Sequence, residues 1–115
     1  MQCAEHAGLD VESYIAMHTR PDYTVYALGS QPGFAYLGGL DPALARPRRA
    51  TPRARLAAGS VIIGGSQAGV ISRASPSGWH VIGTTSVEFF NPLANAPALL
   101  APGDRLRFVV EAIEA

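Results

Sequence analysis

A chain of 115 residues fits one domain and is long enough to build a hydrophobic core without disulfide or metal staples. Nine basic residues balance nine acidic ones, 16% of residues are charged and 48% are hydrophobic, a composition that argues against disorder, a nucleic-acid partner or a membrane surface. A single cysteine, Cys3, excludes an internal disulfide and any cysteine-based metal cluster.

The first residues lack the charged head and long apolar run of a signal peptide, and no apolar run approaches the ~20 residues a membrane helix needs. The expectation is a cytoplasmic protein. All nine basic residues are arginine, which fits a G+C-rich genome as well as selection for a planar, bidentate donor.

In chain order, Gly8 closes a short helical turn, and Asp10 caps a helix whose positions Val11, Tyr14, Ile15 and His18 follow the i, i+3, i+4, i+7 rule. Pro21 ends the helical region. The β-branched and aromatic run Tyr23 to Leu28 predicts a strand that leads into an ordered loop, Gly29 to Gly39, dense in Gly, Pro and aromatic residues.

Asp41 to Gly59 holds Pro42, Pro47 and Pro52 among Arg46, Arg48, Arg49, Arg53 and Arg55, and reads as extended chain wrapping the surface. Ser60 to Ile63, Gln67 to Ser72, Trp79 to Gly83 and Leu106 to Ile113 are short runs separated by Gly, Ser and Pro turns, the spacing of an all-β barrel or sandwich. The turn Ala101-Pro-Gly-Asp104 precedes the final strand, where Leu106, Phe108 and Val110 alternate with Arg105, Arg107 and Val109.

The loop Gln31 to Leu40 combines backbone freedom at glycine with two aromatics and suits a wall that approaches a ligand closely; the plainer reading is a tight corner with core aromatics. Within the arginine strip, Arg48 is the candidate fork for a carboxylate or phosphate, because prolines restrict the backbone on either side. For most of those arginines a solvated face is the simpler account.

Gly64 to Gly69 has no following Lys-Ser/Thr and no helix to lend its dipole, so it reads as a hairpin turn rather than a phosphate cradle, with Gln67 turned toward a cleft. Ser75 to His80 gathers a hydroxyl, an indole and an imidazole that can orient a small amide, although Trp79 by itself suits a core. None of the three histidines has a metal-ligand neighbour at the right spacing, so no metal site is expected, and no serine stands in a nucleophile elbow.

Five motifs in register, Pro32-Gly-Phe-Ala-Tyr-Leu-Gly-Gly-Leu40, Pro47-Arg-Arg-Ala-Thr-Pro-Arg53, Ala58-Gly-Ser-Val61, Ser75-Pro-Ser-Gly-Trp79 and Leu100-Ala-Pro-Gly-Asp-Arg105, resemble the family of the 5-oxoprolinase B subunit (PxpB), KipI and allophanate hydrolase subunit 1 over nearly the whole chain. The resemblance implies a mainly β fold, a cyclophilin-like β-barrel at 21–115 behind a short N-terminal helical segment at 1–20. It also implies a link to an amino-terminal α+β domain that this sequence lacks.

By the same resemblance the chain acts with a homologous C subunit, and with an A subunit, in the ATP-dependent opening of 5-oxoproline to glutamate, ATP being bound by or shared with the partner. It assigns Arg48 and His18 to the chemistry, and Pro32, Gly33, Phe34, Tyr36, Gln67, Ser75 and Trp79 to substrate binding. The sequence departs from the family pattern at Thr84, where relatives carry Arg, at Ser77, where they carry Gly, and at Ile71-Ser72, where they carry Tyr-Pro. The alternative implied by the family is a binding regulator that inhibits a sensor histidine kinase; prolyl isomerase activity rests on fold analogy alone.

Overall fold

The computed structural model describes residues 2–29, 33–91, 93 and 98–113. Helix α1 (Gln2–Ala7) ends at Gly8, whose φ of +74° turns the chain while the Leu9 amide closes onto the Ala4 carbonyl at 2.9 Å. Helix α2 (Val11–Thr19) starts at Asp10, which accepts a hydrogen bond from the Ser13 amide at 2.7 Å and satisfies one of the free donors of the first turn. One stripe of α2 is buried, through Tyr14 and His18 at i and i+4.

Eight strands follow among the described residues. Six of them, β1 (Tyr23–Leu28), β2 (Ala35–Gly38), β4 (Ser60–Gly64), β5 (Gln67–Val70), β7 (His80–Thr84) and β8 (Arg105–Leu106), form one sheet in the order β7-β4-β5-β2-β1-β8; β3 (Arg53–Leu56) and β6 (Ser75–Ser77) form a second, two-stranded sheet. These pairings are all antiparallel. The fold is therefore mainly β behind a short helical segment, as expected. Among the described residues the large sheet ends on two edges, β7 and β8, so it is open and not a continuous hydrogen-bonded barrel.

Registers divide the large sheet into two faces. Val25 lies opposite Leu37, Leu37 opposite Ala68, and Ala68 opposite Ile63, so all four share one face and pack with Tyr23, Leu40, Leu44 and the inner sides of α1 and α2. Ile62, opposite Gly69 and Val81, points the other way and packs with Phe34, Leu56, Ile71 and Trp79 beneath the small sheet. The helical segment shares the first of these cores with the strands.

Three expectations change. The ordered loop after β1 contains a strand, β2, because Ala35 and Leu37 find buried places on the first face. The arginine strip is extended as read, but holds a 3-10 turn at Pro42–Leu44 capped by Asp41 and contributes β3. The final strand is only two residues long: Leu106 and Phe108 are half-buried while Val109, Val110 and Ile113 stand exposed, and no neighbouring strand among the described residues takes their backbone groups.

Candidate functional site

The second face of the large sheet carries the aromatic residues singled out in the sequence. Phe34 meets Tyr36 edge-on with centroids 5.1 Å apart and meets Trp79 edge-on at 5.7 Å, and Tyr36 lies 6.0 Å from Trp79. Close approach is set by small residues on the strands below. A Cβ on Gly64 would lie 2.5 Å from the indole of Trp79, and one on Gly69 would lie 3.0 Å from the Phe34 ring. The Trp79 backbone is fixed by Ser77, whose Oγ accepts from its amide at 3.1 Å.

Arg48 completes one end of this cluster. Its guanidinium carbon sits 5.6 Å from the Trp79 ring centroid, while the chain on either side is held by hydrogen bonds from the Arg49 amide to the Gly78 carbonyl and from the His80 ring to the Pro47 carbonyl, both 2.7 Å. The prolines and the edge of the Trp79 turn hold the backbone of an otherwise exposed cation.

At the other end the Gln67 amide nitrogen donates to the Tyr26 hydroxyl. Gln67 lies opposite Gly64 in the β4–β5 hairpin, and so shares the face that Trp79 covers. The Tyr26 ring lies over Gly38, where an added Cβ would come within 3.3 Å of it. Tyr26 is 51% exposed and was not singled out in the sequence; the alternation of inward Tyr23 and Val25 with outward Thr24 and Tyr26 is the signal that would have found it.

The remaining sequence candidates separate. Gly33, at φ +76°, is pressed against the backbone at Phe89 and Phe90, where a Cβ would meet Phe89 O at 2.8 Å, so it packs the chain rather than lining an open wall. Phe34 and Trp79 are nearly buried and shape the face from below, whereas Tyr36 is half-buried. Ser75 is half-buried on β6, opposite Leu56. Pro32 lies outside the described residues.

His18 is not part of the cluster. It is buried in the first core, 4.6 Å from the Phe108 ring and 5.6 Å from the Tyr23 ring, and its Nε2 has no hydrogen-bond partner among the described residues. Burial pushes its pKa down to about 4, so the ring is neutral near pH 7. A polar contact to substrate from His18 does not fit this placement. Trp79 and His80 are also divided: the indole covers the second face, while His80 lies opposite Ile63 and takes the first.

The arrangement provides a shallow aromatic surface with a cation at one end and an amide–phenol pair at the other. It can bind and orient a small polar molecule and offset negative charge. Among the described residues no group of three or more His, Cys, Asp or Glu is placed to hold a metal ion, and no helix is long and apolar enough to cross a membrane.

Residues 1–100 match the family model described as the carboxyltransferase domain, subdomain C and D. The chain is 50% identical over 106 residues to the 5-oxoprolinase B subunit of Escherichia coli O157:H7, covering 92% of this chain and 49% of that protein. It is 46% identical over 101 residues to the Bacillus subtilis (strain 168) protein of the same name, covering 88% and 42%. A conserved uncharacterised protein from Pyrococcus horikoshii superposes with a TM-score of 0.89 at 46% identity, over 93% of this chain and 50% of that one. The crystal structure of TTHA0988 superposes with a TM-score of 0.90 at 44% identity, over 94% and 22%. The chain spans about half the length of the curated relatives it matches. With motifs, mainly β fold and sequence identity in agreement, the chain belongs to the carboxyltransferase subdomain C and D family, together with the 5-oxoprolinase B subunit.

Proposed function

We propose that this domain serves as a component of a 5-oxoprolinase, acting with a homologous C subunit, and with an A subunit, in the ATP-dependent opening of 5-oxoproline to glutamate. The observation that carries the reading is 46–52% identity to three proteins named as the B subunit of 5-oxoprolinase, over about nine-tenths of this chain. The reaction requires activation of a resonance-stabilised lactam oxygen, with negative charge building up on a phosphoryl group.

Arg48, seated on Trp79, is the group in this chain suited to offset that charge. Tyr36, Gln67 and Tyr26 supply an apolar body with hydrogen-bonding tips for a small amide. ATP is assigned to the assembly as a whole: the glycine-rich segment after β4 is a hairpin, and among the described residues no helix N-terminus follows it to receive phosphates.

The test is reconstitution of this chain with the A and C subunits, following ATP-dependent glutamate formation from 5-oxoproline. Turnover that depends on this chain and drops about a hundredfold in Arg48→Ala supports the reading. No turnover in the complete mixture overturns it and moves the assignment to the kinase-binding alternative.

A further inference from the structure

A second concave site lies at the β7 edge of the large sheet, apart from the aromatic face. It is a cleft of about 190 Å³ lined by Gln2, Cys3, Arg46, Arg53, His80 and Val81. That is room for a small ligand.

The lining is cationic. Arg46 is half-buried, and its only side-chain hydrogen bond among the described residues runs from Nη1 to the Cys3 sulfur, at 3.6 Å. A thiol is a weak acceptor and leaves the guanidinium charge unneutralised. Neither Arg46 nor Arg53 has an ion-pair partner among the described residues. A half-buried guanidinium that faces a cleft without a carboxylate is available to pair with an entering anion.

The residues lining the cleft also stand on fixed backbone. Arg46 exchanges two hydrogen bonds with Gly65, at 3.0 and 2.8 Å, Arg53 pairs with Ser77 across the small sheet, and His80 pairs with Ile63 on β4. His80 Nε2 lies 2.7 Å from the Pro47 carbonyl, which can only accept, so Nε2 carries the hydrogen. That bond commits the ring's hydrogen to Pro47, so the donors left for an anion in this cleft are the guanidinium groups of Arg46 and Arg53.

We propose that this cleft is a binding site for a small oxyanion, a carboxylate or phosphate, held between the forks of Arg46 and Arg53 beside His80. The site does not depend on the 5-oxoprolinase reading, since it is drawn from different residues and its test involves no turnover.

The experiment is a titration of the isotopically labelled chain with inorganic phosphate and, separately, with acetate, at constant ionic strength against chloride, following the backbone amides of Cys3, Arg46 and Val81 by NMR. The expected result is saturable shifts confined to these amides, weakened about tenfold in Arg46→Gln and in Arg53→Gln. They should be unchanged in Arg105→Gln, on the opposite sheet edge. Tighter phosphate binding identifies a phosphoryl ligand, tighter acetate binding a carboxylate. Arg53 is exposed, so its variant keeps the test decisive if Arg46→Gln folds poorly. Linear shifts spread over all the arginines, or saturable shifts that survive in the Arg53 variant, overturn the proposal.

Discussion

The indole of Trp79 lies directly on Gly64, so close that a single methyl group at position 64 would overlap the ring, its Cβ falling 2.5–2.6 Å from three ring carbons. The second core is built around this contact: Trp79 touches Phe34 and Tyr36 only because the strand beneath is bare. Gly64→Ala should therefore destabilise the fold by about 1–3 kcal/mol through overpacking. Gly83→Ala, whose Cβ would sit 3.9 Å from Val61 in ordinary contact, should change stability little. Urea unfolding of the two variants checks the contrast, and equal midpoints would refute the account of the aromatic face.

The guanidinium of Arg48 over the same ring gives the candidate site an optical probe, because Trp79 is the single tryptophan of the chain. Arg48→Ala removes an exposed cation–π contact worth ~0.5–1 kcal/mol, so the fold should persist while the tryptophan emission changes. Arg48→Lys should restore charge but not the planar stacking, and recover the wild-type spectrum only in part. An emission spectrum identical in all three proteins would separate Arg48 from the aromatic surface.

Much of this was legible in local pattern. Asp10 and Gly8 marked the helix limits, Tyr23 to Leu28 matched β1 end to end, and the hairpin at Gly64 to Gln67 followed from Gly-Gly between apolar runs. Position across the sheet was not legible. Tyr26 meets Gln67 41 residues on, and Arg46 meets Cys3 43 residues back, contacts set by strand order that no local periodicity encodes. His18 is assigned to the site by family resemblance, whereas its helical spacing from Tyr14 puts it on the buried stripe of α2. The last strand was overread because alternation of side chains says nothing about whether a neighbour exists to pair with.

Tyr23 ties the sheet to α2 through one buried bond. Its hydroxyl donates to the His18 carbonyl at 2.5 Å, in the last turn of the helix where carbonyls lack intrahelical partners. Burial pushes its pKa up to about 12, so the phenol remains a donor throughout the neutral range. Tyr23→Phe keeps the ring and its edge-on contact with Phe108, and removes only the bond. The expected cost is about 1–2 kcal/mol, read from chemical unfolding, with faster amide exchange in the last turn of α2. Unaltered exchange there would mean the bond does not anchor the helix.

His18 should make the domain acid-sensitive. Its folded-state pKa is depressed by burial to about 4, below the ordinary 6.5, so the unfolded chain binds the proton more readily. The contribution of the neutral ring to stability is complete above about pH 6.5 and is lost as pH falls toward 4. Over that window the shift corresponds to about 3 kcal/mol. His18→Phe places an apolar ring between Tyr23 and Phe108 and removes the titration, leaving the Nε2 without a partner no longer at issue. Unfolding free energies measured from pH 7 to pH 4 should fall steeply in the wild type and much less in the variant. A parallel fall in both would place the acid sensitivity elsewhere in the chain.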